Sequence, residues 1–140
     1  MNYWLIKTEP GTWSWDDQVK SAKKTTTWDG VRNYQANNYM KDMKKGDKAF
    51  FYHSVNEKQI VGVVKIAKEH EPDPSDKTGK GFGMVSVQAV EPVKNPVTLA
   101  DVKAEAKLAE MVLVKNSRLS VQPVKAVEWK QVCKMAGLKP

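Results

Sequence analysis

The order of elements along this chain predicts an α+β fold: a small mixed sheet or barrel with short flanking helices. Three observations carry that prediction. Apolar runs at 2–7, 49–53, 59–67 and 84–90 read as strands. Helix signals fall between and after them at irregular intervals, not once per strand as a βαβ series would require. Finally, 140 residues with 41% hydrophobic and 28% charged side chains suit one domain, 1–140, whose core needs neither disulfide nor metal.

Asn2 to Lys7 has apolar residues on both alternating faces, so it predicts a central strand, which Pro10-Gly11 ends. Ser14 with Asp17 three residues later caps a short helix to about Lys23, and Lys24 to Thr27 reads as a polar loop. That loop delivers Trp28, partly anchored in the core, ahead of an Asp29-Gly30 turn. Val31 to Met43 follows as a helix, Gly46-Asp47 as a turn and Ala49 to His53 as a strand. Val55 to Lys58 connects this to a Val/Ile-rich strand, Gln59 to Ala67, in which Gly62 marks a bulge or a close backbone approach. Glu69 to Gly83 reads as a long irregular loop, and Met84 to Val90 as a strand closed off by Pro92 and Pro96. Thr98 and Asp101 cap another helix, 108–114 is ambiguous, and 115–123 reads as an extended surface segment. A last helix, Val124 to Ala136, puts Trp129, Val132, Cys133 and Ala136 on one face and stops at Gly137. On that stripe Cys133 reads as a small buried hydrophobe.

Composition narrows function. No run approaches the roughly 20 apolar residues of a membrane span. No basic stretch followed by an apolar one opens the chain as in a signal peptide, so cytosol, or nucleus in a eukaryote, is the expected location. One Cys and two His, His53 and His70, are too few for a structural zinc site. No metal and no cofactor are expected, and neither is a second copy of the chain. The 23 basic and 16 acidic residues leave a net charge of +7, which favours a polyanionic partner. Lys23, Lys24, Arg32, Lys41, Lys44 and Lys45 cluster around the centre of the first half and are the expected phosphate-backbone rim.

The stretch WDGVRNYQANNYMKDMKKGDKAFFYHS, 28–54, carries more aromatic, amide and basic groups than an amphipathic helix requires. Arg32 and Arg118 are the only arginines among 23 basic residues, which points to sites needing a planar, bidentate donor. No phosphate-binding loop, dinucleotide fingerprint, nucleophile elbow or HExxH is present. Glu9, His53 and Ser54 could be imagined as orienter, base and nucleophile, but adjacent strand residues point to opposite faces. Trp and Tyr for stacking, Asn, Gln and Ser for polar edges, Arg for paired contacts and Lys around the rim suit a splayed-out base. The same inventory suits a free nucleotide or another small planar molecule, with hydrolysis through Glu9 and His53 as a variant of that alternative. A protein-interaction module is the third reading.

Five segments, YWLIKTEP, WDGVRNYQANN, KKGDKAFFYHS, IVGVVKI and SRLSVQP followed by EW, resemble the EVE domain family in the same order, from Tyr3 to about Gly137. The resemblance implies a PUA-like pseudobarrel related to the YTH domain. It also implies binding of DNA or RNA carrying a chemically modified base, with no catalysis. By the matching motifs, it implies ligand-binding roles for Lys7, Glu9, Trp28, Asn33, Tyr34, Gln35, Tyr52, His53, Ser54, Arg118, Leu119 and Ser120. Two departures stand out. Asn37 occupies a position where the family usually has Arg, and the segment before the 84–90 strand is short, with Phe82 as its nearest aromatic.

Overall fold

The computed structural model describes residues 1–140. A mixed six-stranded sheet organises them in the order β2-β5-β4-β3-β1-β6. β1 (Tyr3–Thr8) runs parallel to β3 (Lys48–His53) and antiparallel to β6 (Val121–Val124). β3 pairs with β4 (Gln59–Pro72), β4 with β5 (Gly83–Thr98), and the short β2 (Thr25–Trp28) with β5 alone. The register slips once between β3 and β4 and repeatedly between β4 and β5. Each slip inserts extra chain on one strand and bends it, so the sheet curls. Helix α2 (Tyr34–Asp42) touches the neighbouring strands β4 and β5 and also β6 at the far edge of the sheet order, so the sheet wraps around it.

The pleat of β1 and β3 divides the interior in two. Leu5, Phe50 and Tyr52 face one cluster, which α5 (Ala126–Ala136) closes with Trp129, Val132 and Cys133. Trp4, Ile6, Ala49 and Phe51 face the other, where Ala36 and Met40 of α2 pack. The helix ends follow their capping chemistry. Ser14 and Asp17 form a capping box for α1 (Trp15–Lys20), as do Thr98 and Asp101 for α3 (Leu99–Ala104). Gly137, at φ 76°, ends α5 in the left-handed conformation.

The sequence reading needs four corrections. The central helix begins at Tyr34, not Val31, because the Asn33 side chain accepts the Ala36 N–H as N-cap and Val31 is buried in the core. The loop expected at Lys24 to Thr27 is a single 3₁₀ turn (Ala22–Lys24) followed by β2. β4 and β5 are far longer than expected: β4 runs on to Pro72, and β5 passes through Pro92 and Pro96 to Thr98. Pro92 sits opposite Gly62, where the register has just slipped, so its missing N–H falls at an already broken part of the ladder. Finally, 115–123 is not a surface strap. α4 (Val112–Lys115) opens into a turn, Leu119 is buried, and β6 then pairs with β1.

Candidate functional site

A cleft of about 550 Å³ lies where the end of β1 faces β2, the edge strand that hydrogen-bonds on one side only. β1 contributes Lys7 and Thr8, and the turn after it Thr12 and Trp13. β2 contributes Thr26, Thr27 and Trp28, the segment before α2 runs along one wall from Asp29 to Arg32, and Ser120 closes the β6 side.

The two indoles are held from behind. The Thr8 hydroxyl donates to the Trp13 carbonyl at 2.8 Å, and the Glu9 carbonyl accepts the Thr12 and Trp13 N–H groups at 2.9 Å. The Trp13 indole N–H donates to Gln18 Oε1 at 2.9 Å, and the Gln18 amide donates to the carbonyls of Lys24 and Val87. Gln18 is wholly buried, so one side chain locks α1, the entry to β2, β5 and the Trp13 ring together. Trp28 is half-buried and meets Phe51 in a T-shaped contact with centroids 5.7 Å apart. Trp15 packs on Phe51 in the same manner, and its ring lies against the Gly62 backbone: a Cβ there would come within 2.5 Å of it.

Lys7 reaches the cleft with its Nζ donating to the Ser117 carbonyl at 2.8 Å and lying 5.7 Å from the Tyr52 ring centroid. Partial burial pulls its pKa below the ordinary lysine value, so an anionic or acceptor ligand atom would relieve a real desolvation cost. The Arg32 wall is braced by the 73–82 loop. Asp73, buried, accepts the Gly30 N–H at 2.9 Å, Arg32 Nη1 at 3.2 Å and the Ser75 hydroxyl and N–H. Burial alone would push the Asp73 carboxyl up, but the hydrogen bonds from Ser75, Gly30 and Arg32 outweigh it and hold the pKa well below the usual carboxylate range.

Of the residues singled out in the sequence, the cleft brings together Lys7, Trp28, Arg32 and Ser120. Thr8, Thr12, Trp13, Thr26, Thr27 and Asp29 join them without having been singled out. Glu9 and Arg118 are exposed on the turns beside it. Tyr52 lies beneath Lys7, and Leu119 is core. Asn33 caps α2, while Tyr34 and Gln35 are exposed on its first turn. Lys23 and Lys24 occupy the turn that feeds β2. Lys44 and Lys45 lie near the Asn2 end of the sheet: Asp47 accepts the N–H groups of both Asn2 and Lys44. That end is a β1 length, roughly 16 Å, from Thr8, and Lys41 is in the last turn of α2, which leads toward it.

The hydrolytic arrangement does not assemble. His53 Nε2 accepts the Trp15 N–H at 3.0 Å, so the proton sits on Nδ1 and is donated to Glu57 at 3.0 Å. Ser54 donates its hydroxyl to the Thr8 carbonyl at 3.1 Å, and no hydrogen bond joins Glu9, His53 and Ser54. Both His53 nitrogens are engaged in holding α1 and the 54–58 connection in place.

Comparison with known proteins now identifies the scaffold. The EVE domain family model matches residues 2–135. The chain belongs to the EVE domain family. Its EVE fold is similar to a solution structure of a Rhodopseudomonas palustris protein, 55% identical, with a TM-score of 0.92 covering 98% of this chain and 94% of that one. Human thymocyte nuclear protein 1, solved in complex with 5-methylcytosine-containing DNA, is 37% identical, with a TM-score of 0.90 and all of both chains covered. The curated human sequence of that name is 36% identical over 99% of this chain and 76% of its own length. A YTH domain of Zygosaccharomyces rouxii, 18% identical with a TM-score of 0.58 over 99% of this chain and 88% of that one, shares the fold of the EVE domain.

Proposed function

We propose that this protein reads a modified base in nucleic acid, and that the base is cytosine methylated at C5, taken unpaired into the cleft between the end of β1 and β2. The observation that carries the proposal is the cleft itself: two positioned indoles, a half-buried lysine and a rim arginine, in a chain alignable end to end with a relative solved on 5-methylcytosine DNA. A duplex hides the atoms that such a cleft would read, so the target is single-stranded or flipped out of the stack. Trp13 and Trp28 offer aromatic surface to a pyrimidine ring and its methyl group. Lys7 donates to an acceptor such as O2. Asp29 is the only carboxylate lining the cleft, Asp73 being tied up behind the wall, and it is suited to accept the cytosine N4 amino group while rejecting thymine O4. Arg32, Lys23 and Lys24 meet the phosphates. The protein acts where the nucleic acid is, in a bacterial-type cytosol or a eukaryotic nucleus. No helix is long and apolar enough to cross a membrane.

The test is a tryptophan-fluorescence titration with single-stranded and duplex DNA and RNA, each with and without 5-methylcytosine or N6-methyladenine, at two salt concentrations. The expected result is preference for one 5-methylcytosine strand, weakening with salt as phosphate contacts require, and lost in Trp28→Ala. Asp29→Asn should keep binding but narrow the gap between 5-methylcytosine and thymine. Equal binding of every strand would overturn the reading and leave only a basic surface. Tight, salt-insensitive binding of a free nucleotide with none of its polymer would favour the small-molecule alternative.

A further inference from the structure

Tyr34 is the only aromatic residue whose side chain is largely exposed, at 57%. It is not a loose surface residue. Its ring lies 5.0 Å from that of Phe82, tilted by 34°, and Phe82 is itself 5% exposed. The Arg32 guanidinium lies 5.7 Å from the same Phe82 ring. Arg32 is fixed in turn by Asp73 at 3.2 Å and by the Ser75 hydroxyl at 2.9 Å. Asn37, in the position where the family usually has Arg, is buried: its amide donates to the Gly81 carbonyl, and its oxygen accepts the Gly83 N–H at 3.0 Å. Phe82 is therefore clamped from both chain neighbours, and an exposed ring is held on a rigid backing. Burying Tyr34 against solvent would cost little ordering entropy, which is the condition under which an aromatic makes a good platform.

The position of this platform says what it is for. Arg32 belongs both to the cleft wall and to the Tyr34–Phe82–Arg32 stack, and Tyr34 follows it by only two residues, at most roughly 7.6 Å between Cα atoms. A base in the cleft must have neighbours on its strand, and a strand leaving past the Arg32 wall would bring one of them to Tyr34. We propose that Tyr34, backed by Phe82 and Arg32, is a second stacking site that takes the base flanking the one in the cleft, with Arg32 on the phosphate between them. The proposal rests on the reading of the cleft as a base pocket. It makes the protein hold two consecutive bases, one read in the cleft and one stacked beside it. Because every base has a π-face, the platform adds affinity with little sequence preference.

The experiment compares two ligands, a single-stranded trinucleotide with 5-methyl-dC at its centre and the free nucleoside 5-methyl-2′-deoxycytidine. Tyr34→Ala should weaken the trinucleotide about tenfold, within the range of one base–aromatic stack, and leave the nucleoside unchanged. Tyr34→Phe should stay within about twofold of wild type on both, because the ring supplies the contact. Two further trinucleotides carry an abasic residue on one side or the other. One of them should reproduce the loss in the wild-type protein, and Tyr34→Ala should add nothing to it, as a double-mutant cycle requires for two partners in one contact. If Tyr34→Ala binds the trinucleotide as wild type does while the preference for methylated over unmethylated strands persists, the second site is overturned and the cleft reading stands. If the wild-type protein shows no such preference, the cleft reading fails and the flanking site falls with it. An equal loss on trinucleotide and nucleoside would also overturn the flanking site, since Tyr34 would then act on the cleft.

Discussion

The two faces of the sheet are packed with the same residue types to opposite ends. Under α5, Trp129 lies flat between Phe50 and Tyr3, with centroids 3.9 and 4.5 Å away and planes within 17°. Both faces of that indole are used inside the protein. On the other face Trp28 meets Phe51 in a T-shaped contact, Trp13 is held through its N–H, and both leave ring surface at the cleft. Aromatic content therefore does not mark a site. What marks it is how much of each ring the protein leaves unused after fixing its position.

The sharpest way to break this comparison is to remove one indole from each face. Trp129→Ala opens a large cavity in a sealed core and should cost about 3–5 kcal/mol. Trp28→Ala should cost well under that in the same denaturant titration while abolishing selective binding. Equal stability losses would erase the distinction between a sealed and an open face. Gln18→Leu is next, at about 2–3 kcal/mol, because it leaves the Trp13 N–H and two inward carbonyls short of a partner. It should also weaken ligand binding without touching any ligand, which a purely structural glutamine would not do.

Asp73→Asn should cost about 1–2 kcal/mol by loosening the wall behind Gly30 and Arg32. Here the sign of the pH effect is fixed by the depressed folded-state pKa. The Asp73 contribution is present above the unfolded carboxylate value, near 4, and is lost as pH falls through the lower folded value. Wild type minus Asp73→Asn stability, measured from pH 6 down to pH 2, should shrink over that window. The smallest effect concerns Cys133, whose thiol burial pushes up to about 11. At pH 8 the folded protein should resist iodoacetamide and react only once denatured, with no change in binding.

Much of the fold was legible because it is written in local chemistry. Ser14 with Asp17 and Thr98 with Asp101 are capping boxes whatever the rest of the chain does, and the 129, 132, 133, 136 stripe with Gly137 needs no partner to be read. β2 was not legible, because Thr25 to Trp28 becomes a strand only by pairing with Gln88 to Val85, some sixty residues away. The same holds for the length of β5, whose prolines are tolerated only at bulges that depend on β4. The cleft divides along the same line. Lys7, Trp28 and Ser120 came from motifs and Arg32 from the basic cluster, whereas Trp13 and the threonines enter through a turn and an edge strand that long-range pairing puts in place. The one local hint was the repetition of Thr before Trp, in Thr12-Trp13 and Thr25 to Trp28. Asn37 shows the reverse case: a local departure from the family pattern is a buried brace between α2 and the backbone of Gly81 and Gly83.

The Trp15 ring resting on Gly62 has a consequence for anyone who would re-engineer base preference. Even one methyl at position 62 would collide with that ring at 2.5 Å, and Trp15 opens the helix whose Gln18 aims Trp13. Position 62 is thus closed to diversification although it lies outside the cleft lining. Thr12 and Thr27, which line the cleft and are exposed, can vary without disturbing the scaffold. A combinatorial library should therefore randomise Thr12 and Thr27 and leave the glycine fixed, so that sequence space is spent on the recognition surface and not on misfolded clones.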